Sequence, residues 1–551
     1  MHRAWMGMAA GMPAGLPGPG DSPRAALLQA EYLDKQMLLW GAMLKRQQGA
    51  DVEPVAKPEP GDRRFSAREW RENPYYDYLK QSYLLVSNYL TSLADAAALE
   101  GQARERLRFA TRQWVDAMCP ANFPATNPEV LRAAIDTRGE SIAKGLANLL
   151  EDARKGHISQ TDEGAFEVGR NLAVTPGEVV YENALMQLIQ YAPSTPETGA
   201  RPLVMVPPCI NKFYILDLQP ENSFVRHAVA EGNTVFMVSW RNVQADQGHH
   251  TWDDYLQLGV FDAFRVARDV TGADKVNALG FCVGGTLLGA ALAVLSARGE
   301  DLVASATYLT TMLDFHETGQ IGLFVDEASV AQREANLGAG GVLPGADLAT
   351  VFSSLRANDL IWPYVVNNYL KGSSPAAFDL LYWNSDSTNL PGPMYAWYLR
   401  NTYLENRLCV PGAVKNCGVD VDLGKVAVPA FILATREDHI VPWRSAYRSL
   451  AHLGGDKEFV LGASGHVAGV INPASKAKRG YWSGGPYPRD AEAWLAGAAE
   501  TQGSWWPRWS AWLAARRGPM HPAPRAAGNA QYPGIEAAPG RYVKQKATQE
   551  N

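Results

Sequence analysis

Lys275-Val276-Asn277-Ala278-Leu279-Gly280-Phe281-Cys282-Val283-Gly284-Gly285-Thr286 is the stretch that decides the fold. Its first five residues form a short apolar run with strand character. From Thr286 to about Ala297 the sequence turns helical, and it stops at Gly299. Between them, Gly280-Phe281-Cys282-Val283-Gly284 joins strand to helix as a nucleophile elbow, G-x-S-x-G, with Cys in place of Ser. The turn is so tight that a Cβ at 280 or 284 collides with neighbouring backbone, and it leaves the apical residue strained and exposed. Cys282 also heads a helix, where the dipole favours a thiolate. A buried structural Cys between glycines is the competing reading, and the placement after a strand and before a helix weighs against it.

A thiolate nucleophile needs a base, and the base needs an orienter. With this elbow the chain order is nucleophile, acid, histidine. Working outward, Arg436-Glu437-Asp438-His439-Ile440-Val441-Pro442 follows one predicted strand. Leu461-Gly462-Ala463-Ser464-Gly465-His466-Val467 follows the last one. Asp438 and His466 are thus the expected acid and base, with room for one helix and one strand between them. His439 as base and Glu437 as acid are weaker alternatives, because a neighbour on the same short loop is badly placed to orient the ring. His249-His250 reads as a solvated pair, and Asp314, which ends the strand before the cap, is an alternative acid whose weightier reading is a hydrogen bond to a loop. The oxyanion hole is expected from the backbone N–H of Val283 and one from Pro207-Pro208-Cys209-Ile210-Asn211-Lys212. The two prolines there remove competing donors, leaving Cys209, Ile210 or Asn211, with Ile210 taken as the donor.

The same rhythm extends around the elbow. Short apolar runs at 178–190, 202–206, 234–239, 275–279, 304–309, 430–434 and 458–461 alternate with helical stretches. That pattern predicts a mostly parallel sheet with helices on both faces, the α/β-hydrolase fold, over residues 166–551. Between about 313 and 425 the rhythm breaks into a Trp-, Tyr-, Asn- and Pro-rich segment, too long for a structureless loop and expected as an inserted cap subdomain. Residues 61–165 lack strand-like alternation and read as a helical N-terminal domain. Residues 1–60 read as a flexible N-terminus, with disorder over 1–23 and an amphipathic helix over about 23–45.

With 551 residues, one hydrophobic core does not suffice for the chain. A hydrophobic content of 46%, charged residues at 20% and a formal charge of −6 describe an ordinary globular protein without a basic footprint for nucleic acid. Five cysteines, at 119, 209, 282, 409 and 417, match no zinc spacing and suit a reducing cytoplasm rather than a disulfide framework. Neither a signal peptide nor a run of eighteen apolar residues is present. The 16 tryptophans, several near the end of the chain, read as core aromatics.

Gly280-Phe281-Cys282-Val283-Gly284-Gly285 resembles the lipase-like box of the polyhydroxyalkanoate synthases, which carry Cys where lipases carry Ser. Similar family segments are Pro207-Pro208-Cys209-Ile210-Asn211-Lys212-Phe213-Tyr214, Val238-Ser239-Trp240-Arg241-Asn242, Asn358-Asp359-Leu360-Ile361-Trp362, Gly465-His466-Val467-Ala468-Gly469-Val470 and Gly503-Ser504-Trp505-Trp506. The resemblance spans roughly residues 62 to 545, and Phe281 and Val283 beside the Cys are similar to class I. Ala474 and Ala357 depart from the usual prolines, outside the triad.

The resemblance implies an acyltransferase that polymerises short-chain (R)-3-hydroxyacyl-CoA, chiefly 3-hydroxybutyryl-CoA, through an acyl thioester on Cys282. It also implies a homodimer in the cytoplasm on polyhydroxyalkanoate granules, in contact with the growing polyester and with granule-associated proteins. No cofactor or metal is expected, since CoA enters with the substrate and leaves as product. A Cys-His-Asp thioesterase of the same fold and a non-catalytic granule-surface protein are the rival readings.

Overall fold

The computed structural model describes residues 13 and 15–547; the disorder expected over 1–23 therefore falls largely outside the described residues. The chain forms two compact units, residues 1–163 with 350–377, and residues 164–349 with 378–551.

The first unit is helical: α1 (Pro23–Gln47), α2 (Pro74–Ala96), α3 (Gly101–Ala117), α4 (Pro128–Asp136) and α5 (Glu140–Lys155). Helix α1 starts where Ser22 accepts the Ala25 N–H and Pro23 takes the first helical position. It buries Leu28 and Leu39, and Tyr32 stacks on Tyr89 of α2 at 4.7 Å. Met37, Leu38 and Trp40 of the same helix remain exposed. Residues 350–377, expected within one insertion over 313–425, belong instead to this unit. The reason is specific bonding: Asn148 donates to the Asn368 carbonyl at 2.9 Å, Tyr369 donates to Asp152 at 2.7 Å, and Gly145 lacks a Cβ where the Tyr369 carbonyl lies.

The second unit is an α/β-hydrolase sheet. Its strands are β1 (Gly177–Glu182), β2 (Met186–Tyr191), β3 (Leu203–Val206), β4 (Val235–Trp240), β5 (Val276–Phe281), β6 (Val303–Leu309), β7 (Ala430–Thr435), β8 (Lys457–Gly462), β9 (Gly480–Ser483), β10 (Ala499–Gln502) and β11 (Glu536–Ala537). Among the described residues they order as β10-β9-β8-β7-β6-β5-β3-β4-β2-β1-β11. Strands β4-β3-β5-β6-β7-β8 run parallel, and antiparallel strands flank them. The apolar run at 178–190 is a hairpin rather than one strand, because Asn183 accepts the Leu185 and Met186 amides and turns the chain.

Strands β3, β4, β5 and β7 are buried along their whole length, as a sheet covered on both faces requires. One covering layer contains α6 (Val283–Arg298), which is apolar all round through Leu295 and buried over that length. The other contains Phe224 and the tryptophans of α8 (Trp506–Ala514). Trp505, Trp506, Trp509 and Trp512 are buried, so the terminal tryptophans are core. Among the described residues no helix is long and apolar enough to cross a membrane.

Candidate active site

Cys282 stands where β5 gives way to α6, with φ +53° and ψ −125°. A non-glycine residue adopts that conformation only when its surroundings over-determine it. Three glycines supply the room. A Cβ on Gly284 would penetrate the Val206 and Pro207 carbonyls, one on Gly280 the Gly285 backbone, and one on Gly285 the Thr311 side chain. The Cys282 N–H is tied to the Leu309 carbonyl at 2.9 Å, and its C=O accepts the Gly285 and Thr286 amides and the Thr311 hydroxyl. The backbone is locked, and the side chain at the carboxyl edge of the sheet stays partly accessible.

Asp438 and His466 follow β7 and β8 and meet at that edge. The Arg436 N–H donates to the Gly462 carbonyl at 2.8 Å and the Glu437 N–H to the Ser464 carbonyl at 3.0 Å, so the two loops run side by side. Across them the His466 Nδ1 to Asp438 Oδ2 distance is 2.7 Å. Asp438 is saturated: Oδ1 accepts the Ile440 and Val441 amides at 2.9 and 2.8 Å, and Oδ2 accepts the Thr435 hydroxyl at 3.2 Å as well as the imidazole. Burial pulls the His466 pKa down. The Asp438 carboxylate and Cys282, each also a hydrogen-bond partner, outweigh it and hold the imidazolium up, to about 10. Two indoles brace the histidine loop from below, Trp505 Nε1 on the Gly469 carbonyl at 3.0 Å and Trp506 Nε1 on the Val470 carbonyl at 2.9 Å.

The alternatives are placed elsewhere. Glu437 is exposed, and His439 is not the partner of Asp438. Asp314 is bonded to His452 at 3.0 Å, Arg448 at 3.3 Å and Asn406 at 2.9 Å. Asp314, Cys409 and His452 lie close enough to share a metal ion, but the Arg448 guanidinium already occupies the carboxylate. His250 is buried rather than solvated, its carbonyl accepting the Met394 amide at 3.2 Å. Cys209 lies near Cys282, and burial pushes its thiol up, so it acts as a packed neutral group.

Of the expected oxyanion donors, Val283 begins α6 and Ile210 lies after β3. Among the described residues neither N–H donates a hydrogen bond. The Ile210 carbonyl accepts the Thr388 N–H at 3.1 Å, which fixes the peptide.

Sequence spacing missed the tyrosine pair facing the thiol. Tyr398 ends α7 (Gly392–Tyr398), and Tyr403 lies on the π-helical turn Leu399–Leu404. Their hydroxyls hydrogen-bond and their rings are 5.6 Å apart; burial and Cys282 push both phenols up, with Tyr403 adding to the rise at Tyr398 and the bond from Tyr398 opposing it at Tyr403. A five-residue spacing puts two side chains on different faces of an α-helix, whereas a π-turn returns them to one side.

Residues 61–228 match the family model described as the poly-beta-hydroxybutyrate polymerase N-terminus, and residues 202–473 match the alpha/beta hydrolase fold. The chain is 56% identical to the poly(3-hydroxyalkanoate) polymerase subunit PhaC of Cupriavidus necator, over 94% of this chain and 88% of that protein. It is 44% identical to the poly(3-hydroxyalkanoate) polymerase of Methylorubrum extorquens, over 96% of this chain and 88% of that protein. It is 42% identical to the PhaC subunit of Rhizobium meliloti, over 96% of this chain and 87% of that protein.

Proposed function

Because the chain belongs to the poly(3-hydroxyalkanoate) polymerase family, an acyltransferase family, we propose that Cys282 carries the acyl chain, with His466 as its base and Asp438 as the orienter of that base. The observation that carries this reading is the Asp438–His466 bond beside a thiol held at positive φ on a glycine-walled turn.

The chemistry follows from the charges. His466, whose imidazolium Asp438 and Cys282 favour, takes the proton of the Cys282 thiol, and the sulfur attacks the CoA thioester. The sulfur–carbonyl bond forms, the oxyanion is received by the Val283 and Ile210 N–H groups, and the C–S bond to CoA breaks. His466 returns its proton to the leaving CoA thiolate. Thioester has replaced thioester, so the acyl group stays activated. With its proton given to CoA, His466 is neutral and can act as base for the next step. It takes the proton of the 3-hydroxyl, from the growing chain or the next monomer; that oxygen attacks the Cys282 thioester, the C–O ester bond forms as the C–S bond to Cys282 breaks, and His466 returns the proton to the sulfur. The complete hydrogen bonding of the Asp438 carboxylate supports an orienting role over direct deprotonation of the hydroxyl.

The substrate is short-chain (R)-3-hydroxyacyl-CoA, chiefly 3-hydroxybutyryl-CoA, and no cofactor beyond the CoA of the substrate takes part. The aromatic residues of 378–425 shield the thioester from water. The enzyme works as a cytoplasmic homodimer at the granule surface alongside granule-associated proteins. The exposed Leu33, Met37, Leu38 and Trp40 of α1 support contact with an apolar phase.

Incubation with (R)-3-hydroxybutyryl-CoA, following thiol release and insoluble product together, tests the reading. The parent releases CoA and forms polymer, and Cys282→Ala does neither. Full polymer output from Cys282→Ala overturns it, and CoA release with free acid alone makes the protein a hydrolase.

A further inference from the structure

The loop that carries Ile210 is pinned at four points. Trp240 Nε1 holds the Pro207 carbonyl at 2.9 Å, the Thr388 N–H holds the Ile210 carbonyl, and Trp383 Nε1 holds the Lys212 carbonyl at 2.7 Å. The fourth pin is of another kind. The Lys212 side chain turns inward, is 2% exposed, and donates from Nζ to the Gln545 carbonyl at 2.6 Å. The C-terminal strap that offers this carbonyl is itself tied down at both sides of Gln545. The Tyr542 N–H donates to Gln187 at 3.1 Å and its hydroxyl to the Asn183 carbonyl at 3.0 Å. Lys546 Nζ reaches Asp386 at 3.0 Å while its carbonyl accepts from Asn242 at 2.9 Å. Asn242 in turn accepts the Asn389 amide at 2.9 Å, next to the Thr388 that holds Ile210.

A buried ammonium is an expensive way to hold a loop, since a cation out of water costs several kcal/mol before compensation (order of magnitude). Burial pulls Lys212 down to about 8, with Asp386 opposing the fall and Lys546 adding to it. A methionine or leucine would fill the same space without that cost. What an apolar side chain lacks is a bond of fixed direction between the strap and the loop.

We infer that Lys212 is a positioning residue, which with the strap 542–546 and Asp386 sets the Ile210 N–H to receive the oxyanion. This rests on the reading that acyl transfer at Cys282 proceeds through that hole. Loss of the pin therefore slows steps that pass through a tetrahedral oxyanion and spares those that do not.

Alkylation of Cys282 by iodoacetamide forms no oxyanion, whereas transfer from (R)-3-hydroxybutyryl-CoA does. In Lys212→Met, kcat for CoA release falls about 100-fold, in the range of losing one oxyanion donor. KM changes less than about threefold and the alkylation rate stays at the parental value. Asp386→Asn, which removes the carboxylate facing both ammonium groups, shows the same split at about tenfold, and Lys212→Arg, which keeps a donor, recovers part of the loss. Parental kcat in both Lys212→Met and Asp386→Asn overturns the inference. So does an equal fall of alkylation and acyl transfer, which would mark general loss of the fold. If Lys212→Met does not fold, Asp386→Asn decides by the same split. Failure of the underlying reading looks different: parental protein alkylated at Cys282 would still transfer acyl groups.

Discussion

Two stretches of backbone meet at the thiol, and they obtain their shape in opposite ways. The elbow at 280–285 depends on its own glycines and on the strand ends packed beside it. Its conformation follows from three glycines whose absent side chains leave room for adjacent backbone and for Thr311, and from hydrogen bonds with β6 and the first turn of α6. The loop at 207–212 borrows its shape. It is held by Trp240, Trp383, Thr388 and Gln545, from segments up to 333 residues distant in sequence. The histidine loop is intermediate, paired locally with the Asp438 loop and braced by Trp505 and Trp506. Cys282 is thus placed by glycines of its own turn against neighbouring strand ends, while the Ile210 and His466 loops rely on side chains from distant segments.

Substitutions in each class should separate them. The largest effect is at the apex: Cys282→Ala drops CoA release on the order of 10⁶-fold, as loss of a nucleophile does, with the melting temperature within a few degrees of the parent. Next is Asp438→Asn, which leaves the histidine loop folded but presents the wrong partner to Nδ1. Acyl transfer falls about 10⁴-fold, while the backbone contacts of Glu437 and Ser464 persist in the fold. Gly284→Ala breaks the elbow itself, because its Cβ meets two carbonyls that cannot yield. It costs about 3 kcal/mol or more in denaturant unfolding, and activity falls with the folded fraction. Trp383→Phe, in the borrowed class, leaves one carbonyl unpaired, costs about 1 to 2 kcal/mol and slows acyl transfer a few-fold with alkylation unchanged.

The electrostatics give a further handle. The folded pKa of His466 lies above its ordinary value of 6.5, at about 10. Its contribution to stability is therefore fully present below about pH 6.5 and disappears as the pH rises through about 10. The stability difference between the parent and His466→Gln, measured by urea unfolding, should shrink over that window. A difference that grows with pH would mean that desolvation, rather than the paired negative groups, dominates the site.

This division also accounts for what the sequence made legible. The elbow could be read in full, because its glycines and its strand and helix are contiguous. The pairing of Asp438 with His466 was legible because each directly follows a strand of the same sheet. Ile210 emerged only as one of three candidates, since the contacts that fix its peptide come from Thr388 and Trp383. The Tyr398–Tyr403 pair was hidden by a π-turn, which a 3.6-residue period does not anticipate. The insertion at 313–425 was read as one body because its composition is uniform, yet 350–377 is drawn into the helical unit by Asn148 and Tyr369, and no local pattern announces such pairings.

The two indoles under the histidine loop and the strap against the Lys212 ammonium lie among the last fifty residues of the sequence. During translation the elbow and its cysteine leave the ribosome well before either brace exists. A nascent chain stalled before Trp505 therefore carries Cys282 but lacks the indoles that brace the His466 loop and the strap that pins the Ile210 loop.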